Sequence, residues 1–343
     1  MNFSTTTIAV RNITSSFCKM IVPTYTLSLT LLSCSLSIFG SFVIIITYLN
    51  LQQIQNFTRK LLLSLTVADL LTAVGNFIGS VRYFALRSKA NGCELVQLSD
   101  SVCIVQSFIT TFSSMASFFW TTVIALHIYM QIARESPGMR TGLMLLGYQV
   151  MCWGIPGIIT VTALSLEVLG SDDSVGTGSW CWIRAEVNDH AQIVWMIMSG
   201  KGWEILCYVL TAGLYMLSKI AIWAKRRANR WRRFGMRDVE DMRTEDENFL
   251  YVPLVLYVLR IWGTTRFFLA IFKKHVNSVH LTRAQEVLLV FQSIGDSAQA
   301  FFNCVLFCFC DATVRNYLYT VLFRRHREDL ADSETDERTP IQT

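Results

Sequence analysis

Seven charged or imidazole side chains stand well away from the ends of long apolar runs of this 343-residue chain: Asp69, His127, Lys201, Glu204, Arg260, Arg266 and Asp296. Catalysis on a metal would need clustered His, Cys or acidic ligands, and of five histidines only His127 lies clearly within such a run. No CxxC pair stands beside it, so no metal, no cofactor and no enzymatic reaction are expected. Charge in an apolar run is costly and marks either function or internal pairing. Lys201 and Glu204 are three apart and share a helix face. At 1.5 Å per residue they lie about 12 and 17 Å from the start of their run. Arg260 and Asp296 fall near the middle of two later runs, with Arg266 nearer an end. The depths suggest pairing of Glu204 with Arg260 or Arg266, and of Asp296 with Arg260. Such pairs either hold helices together or line a polar cavity for a small ligand. In the second case Trp203, Trp262 and Phe267 would supply its apolar walls.

The elements that position these groups follow from hydropathy. The chain is 52% hydrophobic and 16% charged, against about 25% charged in soluble domains. Mean hydropathy is +0.40. Disordered chains, nucleic-acid-binding modules and ordinary soluble enzymes are excluded. Seven apolar stretches reach the ~20 residues a spanning helix needs, over 26–49, 61–84, 103–132, 142–168, 193–223, 250–272 and 284–310. In lipid such runs must be helical, because no water satisfies a bare backbone. The expected fold is all-α: a seven-transmembrane helix bundle over 26–310 with no internal repeat.

Charge placement sets the orientation. With the N-terminus outside, inner segments 50–60, 133–141, 224–249 and 311–327 hold 16 Lys and Arg, and the outer segments hold 8. The positive-inside rule thus places the N-terminus outside and the C-terminus inside. The tail 1–25 carries glycosylation patterns at Asn2 and Asn12 and is too short for a folded ectodomain. It has no apolar signal-peptide core, so the first span acts as the targeting element. Residues 311–325 place Val314, Tyr317, Leu318, Val321 and Leu322 on one face. This predicts an amphipathic interfacial eighth helix with Asp311 as its N-cap. Cys308 and Cys310 are candidates for palmitoylation or for simple burial. Segment 326–343 is an acidic cytoplasmic tail with phosphorylatable Ser333, Thr335 and Thr339.

Cys103 opens the third span, and Cys181 lies between Trp180 and Trp182 in outer loop 169–192. Both face an oxidising compartment, so a bridge between them is expected to pin that loop across the bundle mouth. Cys18 and Cys93 could form a second bridge.

Seven N-out helices, the Cys103–Cys181 pairing and the amphipathic eighth helix together resemble a G-protein-coupled receptor. Rhodopsin-like signatures are mostly missing: the third helix ends Ile132-Ala133-Arg134-Glu135, and neither Cys-Trp-x-Pro nor Asn-Pro-x-x-Tyr is present. Only Ser64-Leu65-Thr66-Val67-Ala68-Asp69-Leu70 looks rhodopsin-like. Trp153-Gly154-Ile155-Pro156 and Trp180-Cys181-Trp182-Ile183 are similar to secretin-like and cyclic-AMP-receptor-like sequences. Ser117-Phe118-Phe119-Trp120-Thr121, Gly200-Lys201-Gly202-Trp203-Glu204 and Leu259-Arg260-Ile261-Trp262 look closer still to one vertebrate orphan receptor of that branch. The resemblance runs from about 28 to 310.

It implies a plasma-membrane receptor that passes an extracellular signal to a heterotrimeric G protein by conformational change. Its ligand would be small, since the large hormone-binding ectodomain of secretin-like relatives is missing. Arg134, Arg226, Arg227 and Arg230 would lie at the rim of the G-protein groove. Membrane lipids, not nucleic acid, are the other expected partners; basic segment 225–233 suits a lipid-facing collar or an acidic partner. A sugar-carrier-type transporter would show two similar halves, and none is seen. A retinal protein needs a lysine in the seventh run, which has none. The remaining alternative is a lipid or small-solute transporter or scramblase without G-protein signalling.

Overall fold

The computed structural model describes residues 22–89, 100–133, 141–172, 178–229, 249, 251–273, 279–311 and 314–321. Arg134, Arg230, the sequons at Asn2 and Asn12, the Cys18 and Cys93 pair, and the tail from 322 lie outside the described residues. Four long helices come first: α1 (Thr24–Asn50), α2 (Phe57–Lys89), α3 (Ser101–Ala133) and α4 (Thr141–Ser165). A two-strand ribbon follows, with β1 (Leu169–Gly170) antiparallel to β2 (Trp182–Ile183). Helix α5 runs from Asp189–Met196 through a π turn (Ile197–Lys201) into Gly202–Asn229. Helix α6 is Val252–Lys273, and α7 is Val279–Gly295 continued by Gln299–Cys304 and a π turn, Val305–Phe309. A last helix, α8, covers 314–321.

Six of these helices are long and apolar enough to cross a membrane, and Gln299–Phe309 adds a shorter apolar piece. The chain is a helical transmembrane bundle. Its patterning reverses that of a soluble protein. On α1 the large side chains Leu32, Phe39, Phe42, Ile46 and Leu49 are exposed, while Thr26, Thr30, Ser33, Ser37, Gly40, Ser41 and Ile44 are buried. Lipid is as apolar as leucine, so small and weakly polar residues mark the helix contacts. A Cβ on Gly40 would stand 3.1 Å from Cys304 Cβ and from Phe301 Cα, which shows how near α1 and α7 approach. Helix α3 is central, against α2, α4 and α5; α6 adjoins α7, and α7 returns to α1.

The seventh run departs from the continuous helix expected over 284–310, because residues 296–298 break it. Three contacts support the break. Gly295 lies so close to the Leu259 carbonyl of α6 that any side chain would collide with it. The freed Ile294 carbonyl accepts from Ser33 Oγ at 2.7 Å. Asn76 Nδ2 donates to Ser297 Oγ at 2.8 Å. A broken helix is tolerated at membrane depth where such partners or a cavity take up its polar groups.

At the end of the bundle opposite the ribbon, Asp311 serves two elements. Its Oδ1 accepts from Val314 N at 3.2 Å, capping α8 as the sequence predicts. Its Oδ2 pairs with Arg59 at 2.6 Å.

Candidate functional site

The ribbon end of the bundle is closed by the loop around Cys181. Cys103 and Cys181 form a disulfide with Cα atoms 5.6 Å apart. Two polar contacts to α3 reinforce it: Cys181 N donates to Gln106 Oε1 at 2.8 Å, and Ser107 Oγ donates to Trp182 O at 2.5 Å. The ribbon aligns Gly170 with Trp182 and so directs the indole toward α5. There Gly200 receives it, since a Cβ on Gly200 would stand 2.9 Å from the Trp182 ring.

Beneath this loop lies a cavity open to solvent, about 530 Å³ when the space at its mouth is counted. Its upper wall is Trp180, Cys181 and Trp182, with Phe118 on α3 as a further aromatic surface. Thr72 and Asn76 reach it from α2, Arg260 from α6, and Gln292 and Asp296 from α7. The π turn of α5 contributes Ser199, Gly200 and Lys201. A π turn inserts one residue and re-aims the side chains around it, a device common at functional sites.

The charges of the cavity are arranged in two groups. Glu204, 2% exposed, receives Lys201 Nζ at 2.7 Å on Oε2. Its Oε1 accepts from Tyr208 OH at 2.7 Å and from Thr264 Oγ1 at 2.6 Å. Both carboxylate oxygens are therefore occupied. Arg260, 6% exposed, lies with its guanidinium 5.0 Å over the Phe118 ring, and Nη2 donates to the main-chain carbonyl of Asp296 at 3.4 Å. The Asp296 carboxylate accepts from Gln292 Nε2 at 2.9 Å, and Gln292 Oε1 accepts from Arg266 Nη1 at 3.0 Å. Gly263 permits this approach of α7, since a Cβ there would stand 3.2 Å from Gln292 Nε2. A second polar layer lies deeper. Ser117 Oγ donates to Asp69 Oδ1 at 2.7 Å, Asn303 Nδ2 contacts Oδ2 at 3.4 Å, and Gln299 Nε2 donates to Ser117 Oγ at 3.2 Å.

Helical spans, a disulfide-pinned loop and a charged cavity beneath it describe a receptor bundle, and the comparisons agree. Residues 25–302 match the family model described as 7 transmembrane receptor (Secretin family). The chain belongs to the secretin family of seven-transmembrane receptors. It is similar to G-protein coupled receptor 157 of Homo sapiens, 35% identical over 295 residues, covering 85% of this chain and 82% of that one. The Mus musculus protein of the same name is 33% identical over 296 residues, covering 85% and 84%. Cyclic AMP receptor 1 of Dictyostelium discoideum is 31% identical over 81 residues, 24% of this chain and 19% of that one. This secretin-family chain is a G-protein coupled receptor rather than a transporter. Members of the family couple to G proteins and answer extracellular ligands.

In this receptor Lys201, Glu204, Arg260 and Asp296 meet in one cavity wall. The pairing expected of Glu204 is corrected: its ion pair is with Lys201 on the same helix, not with Arg260 or Arg266. A neighbour three residues away is already in place when the helix forms, whereas an arginine on α6 must also be brought to the right depth. The Asp296–Arg260 pair is likewise not a carboxylate bridge; the main-chain oxygen takes the contact. Arg266 stands one residue behind the wall, through Gln292. Trp203 and Trp262 do not line the cavity. Trp203 donates to Met198 O and lies against Phe119, while Trp262 stacks on Phe291 at 4.7 Å. Phe267 belongs to an apolar cluster with Trp182 and Ile183. The aromatic wall comes instead from Trp180, Trp182 and Phe118, the first two signalled only by their position beside Cys181. At the opposite end Arg226 and Arg227 lie in the last turn of α5, and Arg227 sits 5.4 Å over the exposed Trp223 ring.

Proposed function

We propose that this receptor sits in the plasma membrane with its N-terminal tail outside, glycosylated at Asn2 and Asn12, and that a small extracellular ligand occupies the cavity under Trp180 and Trp182. The observation that carries this is the grouping of Lys201, Glu204, Arg260 and Asp296 from three helices around one cavity. Ligand bound between α3, α5, α6 and α7 would favour one helix arrangement over another, which is all an agonist needs to do. The inner ends of α3, α5 and α6 then form the groove for the G protein. In this reading Arg134, Arg226, Arg227 and Arg230 contact an acidic surface of that partner.

The test is a panel of G-protein activation sensors in cells with and without the receptor, alongside Arg266→Gln and Ser114→Trp, Ser114 being a residue of α3 on the cavity wall. The expected result is receptor-dependent activation of at least one G protein, altered by both substitutions at equal surface expression. Activation that neither substitution changes would remove the cavity from the mechanism.

A further inference from the structure

Lys201 and Glu204 neutralise each other at 2.7 Å, and Tyr208 and Thr264 complete the carboxylate. That pair has little left to offer a ligand. Arg260 and Asp296 differ. They are neighbours, yet neither makes an ion pair among the described residues. Arg260 spends one nitrogen on a 3.4 Å contact with a main-chain oxygen, and its buried Nε has no partner. Asp296 uses only Oδ2, for Gln292. Thr111 Oγ1 and Ser199 Oγ, both on the cavity wall, are also buried without partners.

Resting on the assignment of this cavity as the ligand site, we propose that the ligand is a small zwitterion of the amino-acid type. Its carboxylate lies on the Arg260 guanidinium, its ammonium on Asp296, and its apolar portion against Phe118, Trp180 and Trp182. Charge count decides between this and a simple anion or cation. The wall carries two cations, Lys201 and Arg260, and two anions, Glu204 and Asp296. A net-neutral guest with separated charges satisfies both open groups and leaves the balance unchanged. A simple anion would leave Asp296 uncompensated in a low-dielectric site, and a simple cation would do the same to Arg260. The aromatic wall of Phe118, Trp180 and Trp182 suits a guest with an aromatic side chain.

The test uses the full chain purified into lipid nanodiscs, with tryptophan fluorescence and thermal melting as readouts. Three probes are titrated: L-phenylalanine, its amide, which lacks the carboxylate, and its N-acetyl derivative, which lacks the ammonium. L-phenylalanine is expected to shift both signals, with each derivative weaker by about tenfold or more, the scale of one charged hydrogen bond. Arg260→Gln should erase discrimination against the amide, and Asp296→Asn discrimination against the N-acetyl derivative. Equal response to the N-acetyl derivative or the amide in the unmodified chain overturns the proposal, as does no response to any of the three. A null result here together with a Ser114→Trp effect on G-protein activation would reject the zwitterion and leave the cavity standing as the ligand site.

Discussion

Arg59 Nη2 donates to the Asp311 carboxylate at 2.6 Å, joining the start of α2 to the residue that caps α8. The same guanidinium donates to Phe307 O at 3.1 Å and lies 5.7 Å from the Phe249 ring and 5.3 Å from the Phe307 ring. Phe249 stands just before α6, is 1% exposed and stacks 4.4 Å from Phe307. One cation thus ties α2, the end of α7 and the entrance to α6 into a single cluster. In the proposed function, the G-protein groove lies at this end and opens as α6 separates from its neighbours.

Breaking this cluster is therefore predicted to raise basal signalling. Arg59→Ala or Asp311→Asn should increase ligand-independent G-protein activation about tenfold, the effect of 1.4 kcal/mol on a two-state equilibrium. The charge exchange Arg59→Asp with Asp311→Arg should bring it partly back. Activation measured at matched surface expression decides. Basal activity equal to or below that of the unmodified chain in both single variants would refute an inactivating role.

The Lys201–Glu204 pair makes a prediction about stability. Removing one member of a buried pair leaves an uncompensated charge, at a cost of about 3–5 kcal/mol. Lys201→Ala should therefore lower the thermal stability of the purified receptor strongly. The double change Lys201→Ala with Glu204→Gln should recover much of the loss, because the neutral amide still accepts from Thr264. A melting series across the four proteins of the cycle gives the coupling. Additive losses would show that the two groups do not depend on each other.

Much of this architecture is legible in the order of residues, and the remainder is hidden for identifiable reasons. Twenty-residue apolar runs announce the spanning helices, since lipid permits little else. Asp311 announces its cap because capping is local. The break at 296–298 is not visible, because hydropathy averages over a window and only the Leu259 carbonyl, on another helix, explains Gly295. The same holds for Trp203 and Trp262. An aromatic on a membrane helix can face the cavity, a neighbour or lipid, and composition does not distinguish these. The π turn at Ile197–Lys201 adds a phase shift that an ideal helical wheel omits.

Glycine positions give a paired prediction. Gly295→Ala places a Cβ against the Leu259 carbonyl, and backbone cannot rotate aside as a side chain can. Surface expression should fall severely. Gly154→Ala, with nothing within 4 Å of the new Cβ, should be neutral or stabilising by about 0.5–1 kcal/mol through helix propensity. Equal expression of the two variants would contradict the close approach of α6 and α7.

The loop over the cavity is held by a disulfide and by polar contacts that include those of Gln106 and Ser107, and their contributions should separate. Cys103 and Cys181 are 78 residues apart, so their bond removes chain entropy worth about 4.5 kcal/mol from the unfolded state. Ser107 and Gln106 each contribute a hydrogen bond worth about 1 kcal/mol net, while a buried orphan left behind costs about 1–3 kcal/mol. Gln106→Ala leaves Cys181 N without its acceptor and should cost more than Ser107→Ala, where the Trp182 carbonyl only loses a donor. Cys103→Ala with Cys181→Ala should exceed both and, unlike them, be unaffected by added reductant. Thermal melts of the four proteins with and without reductant test this order. If reductant leaves the unmodified receptor and the double cysteine variant equally stable as they were, and the two melt alike, the disulfide does not secure the loop. The polar contacts would then carry the roof of the cavity by themselves, and Gln106→Ala would become the variant that opens it.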